Sequence, residues 1–331
     1  MRPELDAPKW AAMADRQLIS VVVPVYNEEA VIEAFYERAA AVLKGLEGFE
    51  YELVFIDDGS RDRSVEILKG IMSRDAGVKI VKFSRNFGHQ VAVTAGIDLA
   101  LGDLVVLIDA DLQDPPELIA DMIKKWREGH DVVYAVRTER EGETWFKRTT
   151  AAGFYRLLGR MTNIEIPADV GDYRLMTRRF VDQFKKLGER DRFVRGLVSW
   201  VGFSQAGVPY KRDARYAGES KYPLRKMLRF AKDGITSFST LPLRLVTWSG
   251  YAASALAFLY LISVFIQKAV GITVQGWPTV MVAILFLGGV QLISLGFIGE
   301  YVGRIFNEVK GRPIYIVEQV LTQQQNSSED S

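Results

Sequence analysis

The chain has 331 residues, 25% of them charged and 48% hydrophobic, with 42 basic against 41 acidic side chains and a net charge of +1. That balance gives no global field for nucleic acid, so no nucleic-acid partner is expected and charge acts by location. The absence of cysteine excludes disulfides and thiolate metal sites, and two distant histidines, His89 and His130, argue against zinc.

Residues 1–17 mix charge with proline, lack an apolar core and read as a flexible tail rather than a signal peptide. From residue 18 to about 140 short apolar runs (18–25, 51–56, 78–83 and 104–108) alternate with amphipathic stretches (28–44, 64–73 and 90–100). This alternation predicts an α/β fold with a doubly wound, mainly parallel sheet. In such sheets ligands bind at the carboxyl ends of the strands. Here those ends read Pro24-Val25-Tyr26-Asn27-Glu28-Glu29, Asp57-Asp58-Gly59-Ser60, Ser84-Arg85-Asn86-Phe87-Gly88 and Asp109-Ala110-Asp111.

The first turn lacks the Gly-x-Gly-x-x-Gly pattern that cradles a pyrophosphate directly. An acidic rim must recruit a cation before it holds a diphosphate. The expected ligand is therefore a metal–nucleotide complex, and two carboxylates one residue apart suit a hard divalent ion that also takes phosphate oxygens. Without a ligand, the same turn reads as a solvated acidic cap, with Asp114 as N-cap of a helix near Pro115.

Further along, Leu224, Met227, Leu228, Ala231, Ile235 and Phe238 fall at helical spacing opposite Arg225, Lys226, Arg229 and Lys232. This pattern predicts an amphipathic juxtamembrane helix over 223–241. The 22 residues 245–266 carry no charge; as helix they span about 33 Å, enough for a bilayer core. Residues 269–299 are likewise uncharged. Two membrane spans, 242–267 and 278–302, are expected as a hairpin. Basic residues crowd both outer flanks, with Arg244 before and Arg304, Lys310 and Arg312 after. The positive-inside rule then puts the 18–222 domain and both termini in the cytoplasm, on the cytoplasmic (inner) membrane. In the last segment, 303–331, a strand at 313–317 is expected to be free to pair with another subunit, followed by a disordered polar tail.

The motifs Val-Pro-Val-Tyr-Asn-Glu-Glu, Phe-Ile-Asp-Asp-Gly-Ser, Ser-Arg-Asn-Phe-Gly-His-Gln and Asp-Ala-Asp-Leu-Gln-Asp-Pro-Pro are similar in order and spacing to those of family-2 glycosyltransferases with a GT-A fold. Gly171-Asp172-Tyr173-Arg174, Gly218-Glu219-Ser220-Lys221-Tyr222 and Gly299-Glu300-Tyr301 extend the resemblance to polyprenyl-phosphate glycosyltransferases, over about residues 18–320. The resemblance implies a nucleobase and ribose pocket at Pro24, Tyr26, Glu28 and Asp57, joined by Asp58 and Asn86. It implies Mg²⁺ or Mn²⁺ on Asp109 and Asp111 with Gln113 close by. Asp172 would stand near the acceptor as a catalytic carboxylate with Asp111, and Arg137, Arg174, Arg215, Ser220 and Lys221 would receive the acceptor phosphate.

A lipid monophosphate is largely deprotonated at neutral pH, so Asp172 is expected to orient the acceptor or a basic partner more than to act as a base. Its plain structural alternative is a turn residue paired with Arg174 or Arg178. The implied reaction moves one hexose, UDP-glucose being the favoured donor over GDP-mannose or an aminoarabinose nucleotide, onto undecaprenyl or dolichyl phosphate. A processive synthase would carry Gln-x-x-Arg-Trp and more spans; the run from Arg195 to Trp200 lacks the Gln. A non-catalytic nucleotide-sugar scaffold is the alternative from another class.

Overall fold

A computed structural model describes residues 16–138, 170–190, 192–211, 240–271 and 276–323. The expected amphipathic helix, apart from its last two positions, lies outside them, as do Arg215, Ser220, Lys221 and most of both tails.

Eight strands form one sheet: β1 (Gln17–Val25), β2 (Phe49–Asp57), β3 (Val78–Phe83), β4 (Leu104–Leu107), β5 (Val132–Arg137), β6 (Val170–Thr177), β7 (Gln205–Tyr210) and β8 (Val317–Leu321). Their order is β7-β5-β6-β4-β1-β2-β3-β8. The centre is parallel, with Val25 opposite Asp57 and Asp57 opposite Lys82, so the ends of three neighbouring strands share one edge. β6 enters antiparallel between β4 and β5, setting Arg174 beside both Leu107 and Tyr134. The sheet is thus GT-A-like and mixed.

β1 is buried from Ile19 to Val25, as expected for a parallel strand covered on both faces. Ile19, Val21, Val23 and Val25 pack with Phe35, Leu68 and Met72 on the side of α1 (Ile32–Lys44), α2 (Ser64–Arg74) and α4 (Leu118–Arg127). On the other face α3 (His89–Leu99) approaches so closely at Gly96 that a Cβ there would come within 2.0 Å of Val22 Cγ1. Only glycine permits this contact. Two short helices, α5 (Arg178–Phe184) and α6 (Val194–Val201), complete the unit.

One alternative reading and one expectation fail here. α4 begins at Leu118 rather than near Pro115, and no side chain caps it. Asp114 is 1% exposed and accepts a hydrogen bond from the Tyr210 hydroxyl, so it is neither solvated nor a cap. The C-terminal strand is β8, a few residues later than 313–317, and it pairs antiparallel with β3 of its own chain. The edge expected for another subunit is thereby used internally; Lys82–Glu318 at 2.9 Å and the Phe83–Tyr315 stack hold it there.

A separate unit contains two helices long and apolar enough to cross a membrane, α7 (Leu241–Ala269) and α8 (Trp277–Lys310). Each carries proline in its first turn, where the missing N–H costs nothing. α8 does not stop at 302 but continues to Lys310, ending on Gly311 at φ 66°. Its polar extension pairs Arg304 Nε with Glu300 Oε1 at 3.5 Å, one turn apart.

Candidate active site

The carboxyl edge of β1, β2, β3 and β4 opens into a cleft of about 380 Å³, walled by Pro24, Tyr26, Glu28, Asp58, Asn86, His89, Asp109 and Asp111. Seven of these eight are residues singled out from the sequence; His89 is not. The turns are held by their own side chains. Asn27, at φ 55°, donates its amide to the Ser60 hydroxyl oxygen and accepts the Arg61 amide on Oδ1. Gly59, at φ 72°, lies so close to Arg85 and Asn86 that a Cβ would sit 2.7 Å from their backbone. Leu112, at φ 58°, turns the chain after Asp111, whose Oδ1 accepts the Gln113 amide at 3.1 Å. Non-glycine residues in this left-handed region mark backbone held by its surroundings.

Asp57 and Asp58 have different environments. Asp58 accepts the Phe87 amide on Oδ1 at 2.6 Å and the Gly88 amide on Oδ2 at 2.9 Å. Both oxygens thus help shape the β3 turn, while Asp58 also lines the cleft. Asp57 Oδ1 accepts the Ser60 amide at 3.2 Å, while its buried Oδ2 has no hydrogen-bond partner. Burial raises both carboxyls above their usual range.

At β4, burial pushes Asp109 up to about 6, with His89 opposing and neighbouring carboxylates adding to the rise. Gln113 Oε1 is buried with no hydrogen-bond partner. No cluster of three His, Cys, Asp or Glu side chains is arranged to hold a metal among the described residues. A pair of carboxylates and an amide oxygen still fits an ion that completes its shell with diphosphate and water.

Asp172 lies on β6, 5% exposed. Arg195, from α6, grips it with two hydrogen bonds, Nε to Oδ1 at 2.7 Å and Nη2 to Oδ2 at 3.1 Å. His89 Nε2 stands 3.4 Å from Asp172 and 3.8 Å from Asp109, so one imidazole bridges the two carboxylates. Burial works against the charges, yet Arg195, His89 and Arg174 hold Asp172 well below the usual carboxylate range. Burial likewise opposes protonation of His89, but Asp172 and Asp109 raise it to about 9. Asp172 is therefore a locked anion on a strand rather than in a turn. Of the two arginines in the alternative reading, Arg174 lies 4.0 Å from its Oδ1, while Arg178 bonds the Gly102 and Ala100 carbonyls instead.

Arg174 is 3% exposed and spends its guanidinium on the backbone oxygens of Asp172 and Gly171 at 3.1 and 2.9 Å. Burial lowers it to about 10. It stabilises the β6 backbone and is not presented to an acceptor phosphate, which corrects that expectation. Arg137, on β5, remains half-buried at the strand end. His89 and Arg195 were missed by sequence reasoning. Each lay inside a quoted motif, but no local pattern links them to Asp172.

Residues 20–184 match the model of Glycosyl transferase family 2, and residues 241–305 that of the GtrB C-terminal hairpin. The chain is 56% identical over 300 residues to the uncharacterized glycosyltransferase YkcC of Bacillus subtilis, covering 90% of this chain and 93% of the relative. It is 50% identical over 301 residues to an uncharacterized glycosyltransferase of Synechocystis, sll0501, covering 90% and 94%. It is 46% identical over 301 residues to the SfII prophage-derived bactoprenol glucosyl transferase of Shigella flexneri, covering 91% and 97%. The chain belongs to glycosyl transferase family 2 and is a glycosyltransferase. Its two long apolar helices indicate membrane association.

Proposed function

We propose that this protein transfers one glucose from UDP-glucose to a polyprenyl phosphate at the cytoplasmic leaflet of the inner membrane, with a divalent cation, Mg²⁺ or Mn²⁺, on the donor diphosphate. The observation that carries this reading is the convergence of four strand ends on one acidic cleft, in a chain whose hairpin and length match bactoprenol glucosyl transferases. Asp109, Asp111 and Gln113 would hold the cation, which when bound offsets the charge on the departing diphosphate. Pro24, Tyr26 and Glu28 would line the nucleoside site, and the unpartnered Asp57 Oδ2 suits an N–H of the base.

Asp172 fixes the Arg195 guanidinium through two hydrogen bonds and favours the protonated form of His89, which stands 3.8 Å from Asp109. Because the acceptor phosphate is already ionised near neutral pH, no strong base is needed, and orienting cations is the larger task. Arg137 is the described cation we assign to that phosphate; Arg215, Ser220 and Lys221 retain the same proposed role. Basic flanks on both sides of the hairpin support a cytoplasmic domain.

The test is sugar transfer in detergent with undecaprenyl phosphate, Mg²⁺ or Mn²⁺ and a panel of labelled nucleotide sugars. Lipid-extractable glucose from UDP-glucose is expected. Asp111→Ala should lower the rate on the order of a thousandfold, the loss of several kcal/mol of charge stabilisation. Product from GDP-mannose alone would overturn the sugar assignment, and donor binding with no product would favour a scaffold.

A further inference from the structure

A directed hydrogen-bond chain runs from the carboxylate turn after β4 to the guanidinium at the end of β5. Asp114, three residues beyond Asp111, turns inward and is 1% exposed. Tyr210, the last residue of β7, is 6% exposed and donates its hydroxyl to Asp114 Oδ1. Arg137, the register partner of Tyr210, donates Nε to that same hydroxyl oxygen at 3.2 Å. The polarity has only one sense. A guanidinium can only donate, an ionised carboxylate only accept, and a phenol does one of each. Burial and the charge of Asp114 push Tyr210 up to about 12, so its proton stays in place.

The chain is braced at every joint. The Tyr173 hydroxyl donates to Pro115 O at 3.0 Å, and the Tyr173 and Tyr210 rings meet edge to face at 6.4 Å. Thr138 donates both its amide and its hydroxyl to Tyr210 O, each at 3.0 Å. The far end of the Arg137 guanidinium rests against Gly171, where a Cβ would come within 2.9 Å of Nη2. Residue 171 immediately precedes Asp172, so the oriented cation lies beside the strand that carries it.

We propose that Asp114 and Tyr210 are positioning residues that hold the Arg137 guanidinium in one orientation for the acceptor phosphate, tying the donor turn to the acceptor side. This rests on the reading of a phosphorylated lipid as acceptor. An arginine fixed in advance loses less conformational freedom when it binds, so affinity comes from preorganisation rather than from a new contact. A purely structural brace would lower stability without favouring one substrate over the other.

Tyr210→Phe keeps the ring and removes only the hydroxyl. Its steady-state kinetics would be measured against each substrate, with calorimetric titration of a short-chain polyprenyl phosphate into the detergent-solubilised full chain. Acceptor Kd and KM should rise about five- to tenfold, as for loss of one hydrogen bond in a charged network, while the nucleotide-sugar KM stays within about twofold. In an Arg137→Ala background Tyr210→Phe should add nothing, since the two then share one function. If Tyr210→Phe fails to fold, Asp114→Asn carries the same comparison. Equal shifts in both KM values, or effects that add to Arg137→Ala, would overturn the proposal. Unchanged acceptor binding in Tyr210→Phe would overturn it and leave the lipid acceptor standing. A wild-type chain that binds no polyprenyl phosphate would sink both.

Discussion

Asp172 illustrates how a buried charge is made tolerable. Its two oxygens face Arg195, with His89 and Arg174 close behind. Removing one partner from such a group is costly, about 3–5 kcal/mol, because the remaining charges stay buried and unpaired. Asp172→Asn should therefore lower the melting temperature and abolish transfer, with no recovery at alkaline pH. Recovery would mark Asp172 as the base. Asp131 provides a second case, remote from the cleft. Arg179 and Thr177 hydrogen-bond its carboxylate and hold it below the usual range despite its burial. A depressed carboxyl stabilises the fold above its unfolded value, near pH 4, and loses that contribution as pH falls through its folded value. Asp131→Asn should thus melt lower than wild type at neutral pH, and the gap should close in acid. A gap independent of pH would exclude the ionic origin.

Among the elements, the turn after β2 is the part most sensitive to a single methyl group. Gly59 adopts a left-handed conformation and touches the backbone of the β3 turn, which Asp58 holds from the other side. Gly59→Ala should cost about 1–2 kcal/mol from the conformation alone, and the displaced turn should raise the nucleotide-sugar KM by about tenfold. The acceptor KM measured in the same preparation should change little; an equal change would mean general unfolding. β8 acts on the same turn from outside. Ile316 O accepts the Ser84 amide at 3.1 Å and Tyr315 stacks on Phe83, so the segment after the hairpin secures the end of β3.

For the whole molecule, the chain leaves the sheet after β7, forms the two apolar helices and returns to complete the same sheet with β8. If the spans form a hairpin, both sheet-bearing segments must face the same side of the membrane. The lack of cysteine makes this directly measurable. In intact cells a membrane-impermeant maleimide should label Val270→Cys, between the helices, and should label Thr322→Cys only after the membrane is opened. The reverse pattern would invert the proposed orientation.

Local signals in the sequence determined the strand and helix alternation, the acidic strand ends and the apolar hairpin. Periodicity, turn residues and charge depletion act within a few residues, so each is legible without knowing what packs against it. The strands 18–25 and 78–83 correspond closely to β1 and β3, and seven of the expected residues wall one cleft. The tertiary structure alone decided the antiparallel insertion of β6, the return of β8 to β3, and the fate of each buried charge. Arg174 looks like a phosphate ligand in sequence and becomes a support because backbone oxygens reach it first. Asp58 braces the β3 turn as well as lining the cleft. Asp172 meets Arg195 across 23 positions and Asp114 meets Tyr210 across 96. Such pairings are set by which strands lie side by side, and no local pattern encodes that adjacency.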